Sequence, residues 1–267
     1  MVGARADVRY SWRALEKHYY GTLNEVQQRH WWYVARRGIL DRVLGEAFAQ
    51  GVPDGTLYDL GCGVAANLPV LEKFGKTVGV DTSPEAVAFC HERGHENVVA
   101  ADLNALTGIR EGSGSVVVLA DVIEHLDDET ACLQAAWRTL APNGVLIVTV
   151  PAYKFLWSPA DDLAHHKRRY TASSLRRAIE PMFEIQHLTY FNTFLFGLVL
   201  AGRAVEALLK RGGDDMAHVP PNAVNSVLSA VFSAERNIVP RHKLPFGVSI
   251  LCVARKRGSA EPAAKPA

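Results

Sequence analysis

Four aspartates follow four short apolar runs in turn. TLYDL carries Asp59, KTVGV leads to Asp81, NVVAA to Asp102 and SVVVLA to Asp121. Around the first, YDLGCGVA sets Gly61, Cys62 and Gly63 between a strand end and the expected start of a helix at Val64 to Asn67. Glycines serve where a backbone must turn tightly or let a ligand come close. The loop and the acids are therefore a candidate small-molecule site. A pyrophosphate site would want G-x-G-x-x-G and would be opposed by a carboxylate at its head. Here the third glycine is missing at that spacing, and Asp59 leads the loop. Helix capping is the ordinary alternative for any one acid, but it accounts poorly for all four together.

A second group lies further on. LWSPADDLAHHKRRYT brings Trp157, Asp161, Asp162, His165, His166, Arg168, Arg169 and Tyr170 into one short stretch. Three readings stand for it. In the first, His166 is a general base for an acceptor, and Arg168 or Arg169 binds an anionic group. In the second, Asp161 pairs with Arg169, Tyr170 packs, and the loop is a lid without chemistry. In the third, Asp161, Asp162, His165 and His166 hold a cation. The reading adopted is the first, without a metal. An early cluster, His30-Trp31-Trp32 with Arg36 and Arg37, is open in the same way. Trp31 and Arg36 are its candidates for covering a ligand, and core-sealing aromatics are the alternative.

These residues need elements to hold them. Short apolar strands (56–60, 76–80, 97–101, 115–120 and 144–150) alternate with helical stretches, which predicts βαβ units and a parallel sheet. In such a sheet ligands bind beyond the carboxyl ends of the strands, where the four acids fall. Asp81-Thr82-Ser83-Pro84 opens the next helix with Pro in its first turn. FEIQHLTYF and GVSILCVAR predict two further strands, the last antiparallel, separated by an apolar helix from about 191 to 209 and a second helix from about 222 to 237. The fold class is α/β, a mostly parallel Rossmann-like sheet with an antiparallel last strand and helices on both faces. The expected organisation is an N-terminal helical cap (1–50), a core (51–191 and 245–256), a helical insertion (192–244) and a disordered tail (257–267).

The glycine loop resembles the D-x-G-x-G-x-G loop of class I S-adenosylmethionine-dependent methyltransferases, with Ala65 in the last glycine's place. The resemblance implies S-adenosylmethionine as cofactor. It places the loop (Gly61, Cys62, Gly63 and the following Asn67) against the methionine part and Asp59 near its ammonium. Asp81, with Thr82 and Ser83, goes to the ribose hydroxyls, and Asp102 and Leu103 to the adenine. DVIEHL (121–126) resembles the next motif of that family, where the chain passes under the sulfonium, with Asp121 a cofactor-binding position and His125 facing the cleft. HWWYVARR, LWSPADDLAHHKRRYT and KLPFGVSILCVARK resemble a bacterial subfamily with H-W-W-x-x-x-R-R and L-W-S-x-x-D-x-x-x-G-H-x-R-R-Y-T motifs. On that match Asp161, His166, Arg168, Arg169 and Tyr170 are motif positions, Asn192 and Arg203 follow in the insertion, and His165 stands where the pattern has Gly. The catalytic candidates are thus His166, His125, Asp161 and Tyr170. The acceptor-binding candidates are Trp157, Arg168, Arg169 and Arg203.

Composition narrows the partners. The chain of 267 residues is 48% hydrophobic and 21% charged with a formal net charge of +1. No global field favours nucleic acid, and no basic stripe interleaved with aromatics suggests RNA. Four widely spaced cysteines argue against a disulfide framework or structural zinc and suit a reducing cytoplasm. MVGARADVRYSW has no apolar core of signal-peptide length. The apolar run YFNTFLFGLVLAGRAVEALL, broken by Arg203 and Glu206, is too short to span a bilayer. It could line an acceptor channel, bury a homodimer interface or rest on a membrane surface. The expectation is a cytoplasmic methyltransferase that moves a methyl group to an O, N or S atom of a small, apolar or amphipathic acceptor. The alternatives are a lipid-linked glycan or polyprenyl acceptor at the membrane surface, and a non-catalytic cofactor-binding module.

Overall fold

The structure is a computed structural model, and it describes residues 19–209 and 218–257. The expected disordered tail after its first residue, and the start of the expected N-terminal cap, lie outside these residues. The chain begins with a helix over 19–29 (α1) and turns at His30 into α2 (Trp31–Ala49). The alternating units follow: β1 (Thr56–Leu60), α3 (Leu68–Leu71), β2 (Thr77–Asp81), α4 (Pro84–Glu92), β3 (Val98–Ala100), β4 (Gly114–Ala120), α5 (Glu129–Thr139) and β5 (Leu140–Pro151). After them come α6 (Pro159–Leu163), α7 (Ala172–Ile179), β6 (Phe183–Phe191), α8 (Phe196–Leu209), α9 (Asn222–Ser233) and β7 (Ser249–Lys256).

One seven-stranded sheet results, in the order β3-β2-β1-β4-β5-β7-β6. β1 pairs in parallel with β2 and β4, while β7 inserts antiparallel between β5 and β6. The order reverses at β1 and β4, so the carboxyl ends of these two neighbours flank the crevice where a parallel sheet takes its ligand. Burial on both faces explains why these strands are continuous apolar runs. Val117, Leu119, Leu146 and Val148 pack toward α5 and α7. Their alternates Val116, Val118, Val145 and Ile147 pack toward α2 and Phe232 of α9.

α2 is thus one of the helices covering the sheet, buried along Ala35, Ile39, Leu40, Val43, Leu44 and Ala47, with α9 beside it. Two boundaries differ from the sequence expectation. β5 begins at Leu140, because Leu140 already pairs with Gly114 before Pro142-Asn143-Gly144. The helix after the glycine loop is a single turn, Leu68–Leu71, preceded by turns over 61–67. No helix among the described residues is long and apolar enough to cross a membrane.

Candidate functional site

The glycine loop is pinned to the end of β2. Gly61 and Cys62 donate their N–H groups to the Val80 carbonyl at 2.7 and 3.1 Å. Gly63 N–H donates to Asp81 Oδ2 at 2.8 Å, and Ser83 N–H to Asp81 Oδ1 at 2.9 Å. Gly61 has φ +75°, and a Cβ there would stand 2.7 Å from Val122 Cγ2, so only glycine fits. Gly63 (φ +54°) has open space where a Cβ would be, which leaves its backbone approachable. Ala65 holds φ +63°, the left-handed region a glycine would adopt. Cys62 packs beneath the loop with Ala65, Leu68 and Cys90, and burial pushes its thiol far up.

Asp59 lies at the base of this loop and is 1% exposed. Its Oδ2 accepts a bond from Asn67 Nδ2 at 3.3 Å, while Oδ1 has no partner. Burial raises its pKa to about 6, with Arg36 and Asn67 opposing the rise. Arg36 comes from α2. Its guanidinium bonds the Asp121 carboxylate, reaches the Ala120 carbonyl and contacts Asn67 Oδ1. Asp121 itself adopts φ +58° just beyond β4 and also accepts from the Thr149 hydroxyl. Non-glycine residues held in that region cluster at working sites.

The remaining ring candidates separate. The aromatic over Arg36 is Trp32, at 4.8 Å, with Tyr33 at 5.6 Å. The sequence put Trp31 forward beside Arg36, but Trp31 packs edge-on against Phe232 of α9 and its backbone N–H donates to Asn225 Oδ1. Successive helical residues point about 100° apart, so only one of the two could take each role. On the other side of the loop, the Tyr20 hydroxyl of α1 bonds Ser83 Oγ at 2.9 Å. Thr82 and Asp102 are exposed and Leu103 is buried beside them. Asp102 accepts from the Asn104 N–H.

The second group converges through α6. Asp161, 1% exposed, closes a capping box with Ser158. It binds Arg169 Nε and Nη2 at 2.7 and 3.0 Å and His166 Nδ1 at 2.7 Å. Burial alone would raise its pKa, but the bonds from His166 and Arg169 hold it well below the usual range. An ionised carboxylate only accepts, so His166 Nδ1 carries the hydrogen of this bond and Nε2 is the nitrogen turned away from it. Arg168 and the Tyr170 hydroxyl both bond Glu129 at the start of α5. Trp157 Nε1 donates to Asp162. These arginines and Tyr170 thus hold the loop together, as in the lid reading. Arg203 is partly buried on α8. His165 is exposed and has φ +56°, the backbone that the pattern's glycine would take.

The His166 ring lies 4.6 Å from the His125 ring, edge to face. Glu124, absent from the sequence candidates, completes the group: its ligand atom and those of the two histidines lie within 4.8 Å of one another. Glu124 is fully buried, and neither carboxylate oxygen has a partner. Burial and then Asp121 push its pKa well above the carboxylate range. Desolvation and the neighbouring His166 lower that of His125. The signal for Glu124 was its place in DVIEHL, one residue before His125. Beyond β5, Tyr153 stacks on Tyr190 at 5.1 Å and on Phe155 at 4.9 Å, and Phe196 of α8 meets both Tyr153 and Phe246.

Residues 58–148 match the methyltransferase domain family. Over 99 residues the chain is 30% identical to a ubiquinone biosynthesis O-methyltransferase of Xanthomonas oryzae pv. oryzae, covering 35% of this chain and 41% of that one. It is 28% identical over 141 residues to a carboxy-S-adenosyl-L-methionine synthase of Shewanella woodyi, covering 48% and 57%. The chain therefore spans less than two thirds of either relative. A SAM-dependent methyltransferase from Archaeoglobus fulgidus shares the fold at 18% identity and TM-score 0.51, covering 82% of this chain and 94% of that one. The [4+2]-cyclase SpnF does so at 18% and 0.51, covering 81% of each. The match to the methyltransferase domain thus lies on β1 to β5 of a Rossmann-like sheet, whose fold the S-adenosylmethionine-dependent enzyme of Archaeoglobus fulgidus shares.

Proposed function

We propose that the chain transfers the methyl group of S-adenosylmethionine to a heteroatom of a small apolar or amphipathic acceptor. The observation that carries this is Asp59, a buried carboxylate with an unpartnered oxygen beside an approachable Gly63 backbone. A buried unpaired carboxylate is costly, and an ammonium group in the crevice would offset that cost. The residues present fit the cofactor. Asp59 would face its ammonium, Arg36 stands where a carboxylate could add to its contacts, and Asp81 keeps free lone pairs for two hydroxyls.

When bound, the cofactor supplies an electrophilic sulfonium methyl: its C–S bond breaks as the acceptor's bond to carbon forms, and the acceptor loses a proton. What the chain supplies is placement and a dry cleft. Holding reactants in line can account for much of the rate. The Tyr153, Tyr190, Phe155 and Phe196 rings offer an apolar wall for the acceptor. His125 and His166 form the polar end that receives the proton. Tyr20 on Ser83 and Trp32 over Arg36 lay α1 and α2 across the cofactor side.

Titration calorimetry with S-adenosylmethionine, followed by a labelled-methyl screen of small-molecule, lipid and protein fractions, tests the reading. Binding lost in Asp59→Ala together with label in the small-molecule fraction is expected. Tight binding with no transfer to any fraction would leave a cofactor-binding module instead.

A second reading has its own observation. Phe194, Leu198, Leu200 and Val205, in and before α8, are exposed, as suits contact with a membrane carrying a lipid-linked acceptor. Flotation with anionic vesicles checks it: protein staying wholly in the soluble fraction removes it.

A further inference from the structure

We propose that Glu124, His125 and His166 form a binding site for one first-row divalent cation of the zinc type at the acceptor end of the cleft. Three observations carry it. The first is convergence: one carboxylate oxygen and two ring nitrogens, from the turn after β4 and the loop after β5, lie within 4.8 Å of one another. The second is the state of Glu124, whose two oxygens are buried and without partners. A buried polar group in that condition calls for an explanation such as an ion. The third is how the imidazoles are held. His166 Nδ1 donates to Asp161, which leaves Nε2 to coordinate, and the His125 ring stands edge to face with that ring at 4.6 Å. Metal-ligating histidines almost always have their other nitrogen engaged in this way.

The donor set decides the class of ion. Two imidazoles and one carboxylate suit zinc and its neighbours, whereas magnesium prefers oxygen ligands and water. Three protein ligands leave a position open, the arrangement of a catalytic rather than a structural site. The two nearby guanidinium groups do not oppose the cation strongly, since Arg36 is paired with Asp121 and Arg169 with Asp161. The site differs from the four-residue loop cluster of the sequence reading: Asp161 is a positioning residue held by Arg169, and neither Asp162 nor His165 belongs to the set. Its use rests on the methyl-transfer reading. An acceptor hydroxyl in the open position would lose its proton more easily, and His166 would then be a ligand rather than a free base.

The test measures cation uptake without cofactor or acceptor. Tag-free protein is dialysed against a chelator and titrated with Zn²⁺ by calorimetry, then with Co²⁺ by visible absorption. One equivalent of either ion, with ligand-field bands for Co²⁺, is expected. His166→Ala and the isosteric Glu124→Gln should each abolish this uptake, while far-UV circular dichroism shows the fold retained. Asp161→Asn should weaken it by about 10- to 100-fold. No stoichiometric uptake by the unaltered protein, or uptake undiminished in either ligand variant, would overturn the site. Uptake without methyl transfer to any acceptor would count against the activity alone, and transfer unaffected by chelator and without uptake against the cation alone.

Discussion

The Arg36 guanidinium of α2 closes an ion pair with the Asp121 carboxylate just beyond β4, with the two side chains only 9% and 19% exposed. The pair ties a covering helix to the sheet edge where the crevice opens. It also places a positive charge near Asp59, which it helps to keep ionisable.

Arg36→Met should therefore cost stability and cofactor affinity together. Breaking a buried pair leaves the partner charge uncompensated, at a cost of about 3 kcal/mol. Urea denaturation should show the loss, and Arg36→Lys should restore little of it, because one ammonium cannot serve Asp121, Ala120 and Asn67 at once. Full stability in Arg36→Met would show that the pair is not a structural tie.

Asp59 gives the protein a pH signature. Its folded pKa of about 6 lies above its ordinary value of 3.8. Between those values the native state binds more protons than the unfolded one, so stability falls as pH rises from about 4 to 6 and is level above. The span corresponds to about 3 kcal/mol. Asp59→Asn should flatten that slope in chemical denaturation. Cofactor affinity should move the opposite way, rising through about pH 6 as the carboxylate ionises, and the variant should bind weakly at every pH.

His165→Gly should stabilise the protein. The residue is exposed and holds φ +56°, a backbone that costs a residue with a side chain about 1 kcal/mol. A melting temperature higher by about 2 °C is expected for a chain of this size. An unchanged or lower value would mean that the histidine side chain offsets the strain.

Tyr170→Phe should loosen the loop without touching the cofactor. Its hydroxyl and Arg168 share Glu129, and loss of a buried hydrogen bond costs about 1 kcal/mol. Once an acceptor is in hand, KM for it should rise while calorimetric affinity for S-adenosylmethionine holds. A fall in cofactor affinity instead would place Tyr170 with the cofactor site.

Much of the sheet was legible in advance because apolar strands buried on both faces read as runs of Val, Ile and Leu, and four of the five runs led to an acid. The single helical turn after the glycine loop was not, since turns over 61–67 take up the residues expected to begin a helix. The partner of Arg36 was legible, since Trp32 stands four residues before it on the same helix and such residues are neighbours. That Trp31 instead packs on α9, against Phe232 and Asn225, was not, because it depends on how the two helices meet.

By itself the sequence determined the βαβ order, the acids at the strand ends and the glycine loop, because each is a local pattern of burial and backbone conformation. The tertiary structure alone decided what those acids meet. Arg36 reaches Asp121 from a helix far earlier in the chain, and Glu124 and His125 meet His166 from separate strand ends. Spacing along a chain records neighbours in sequence, whereas a site is assembled from groups that only the packing of sheet and helices brings within reach.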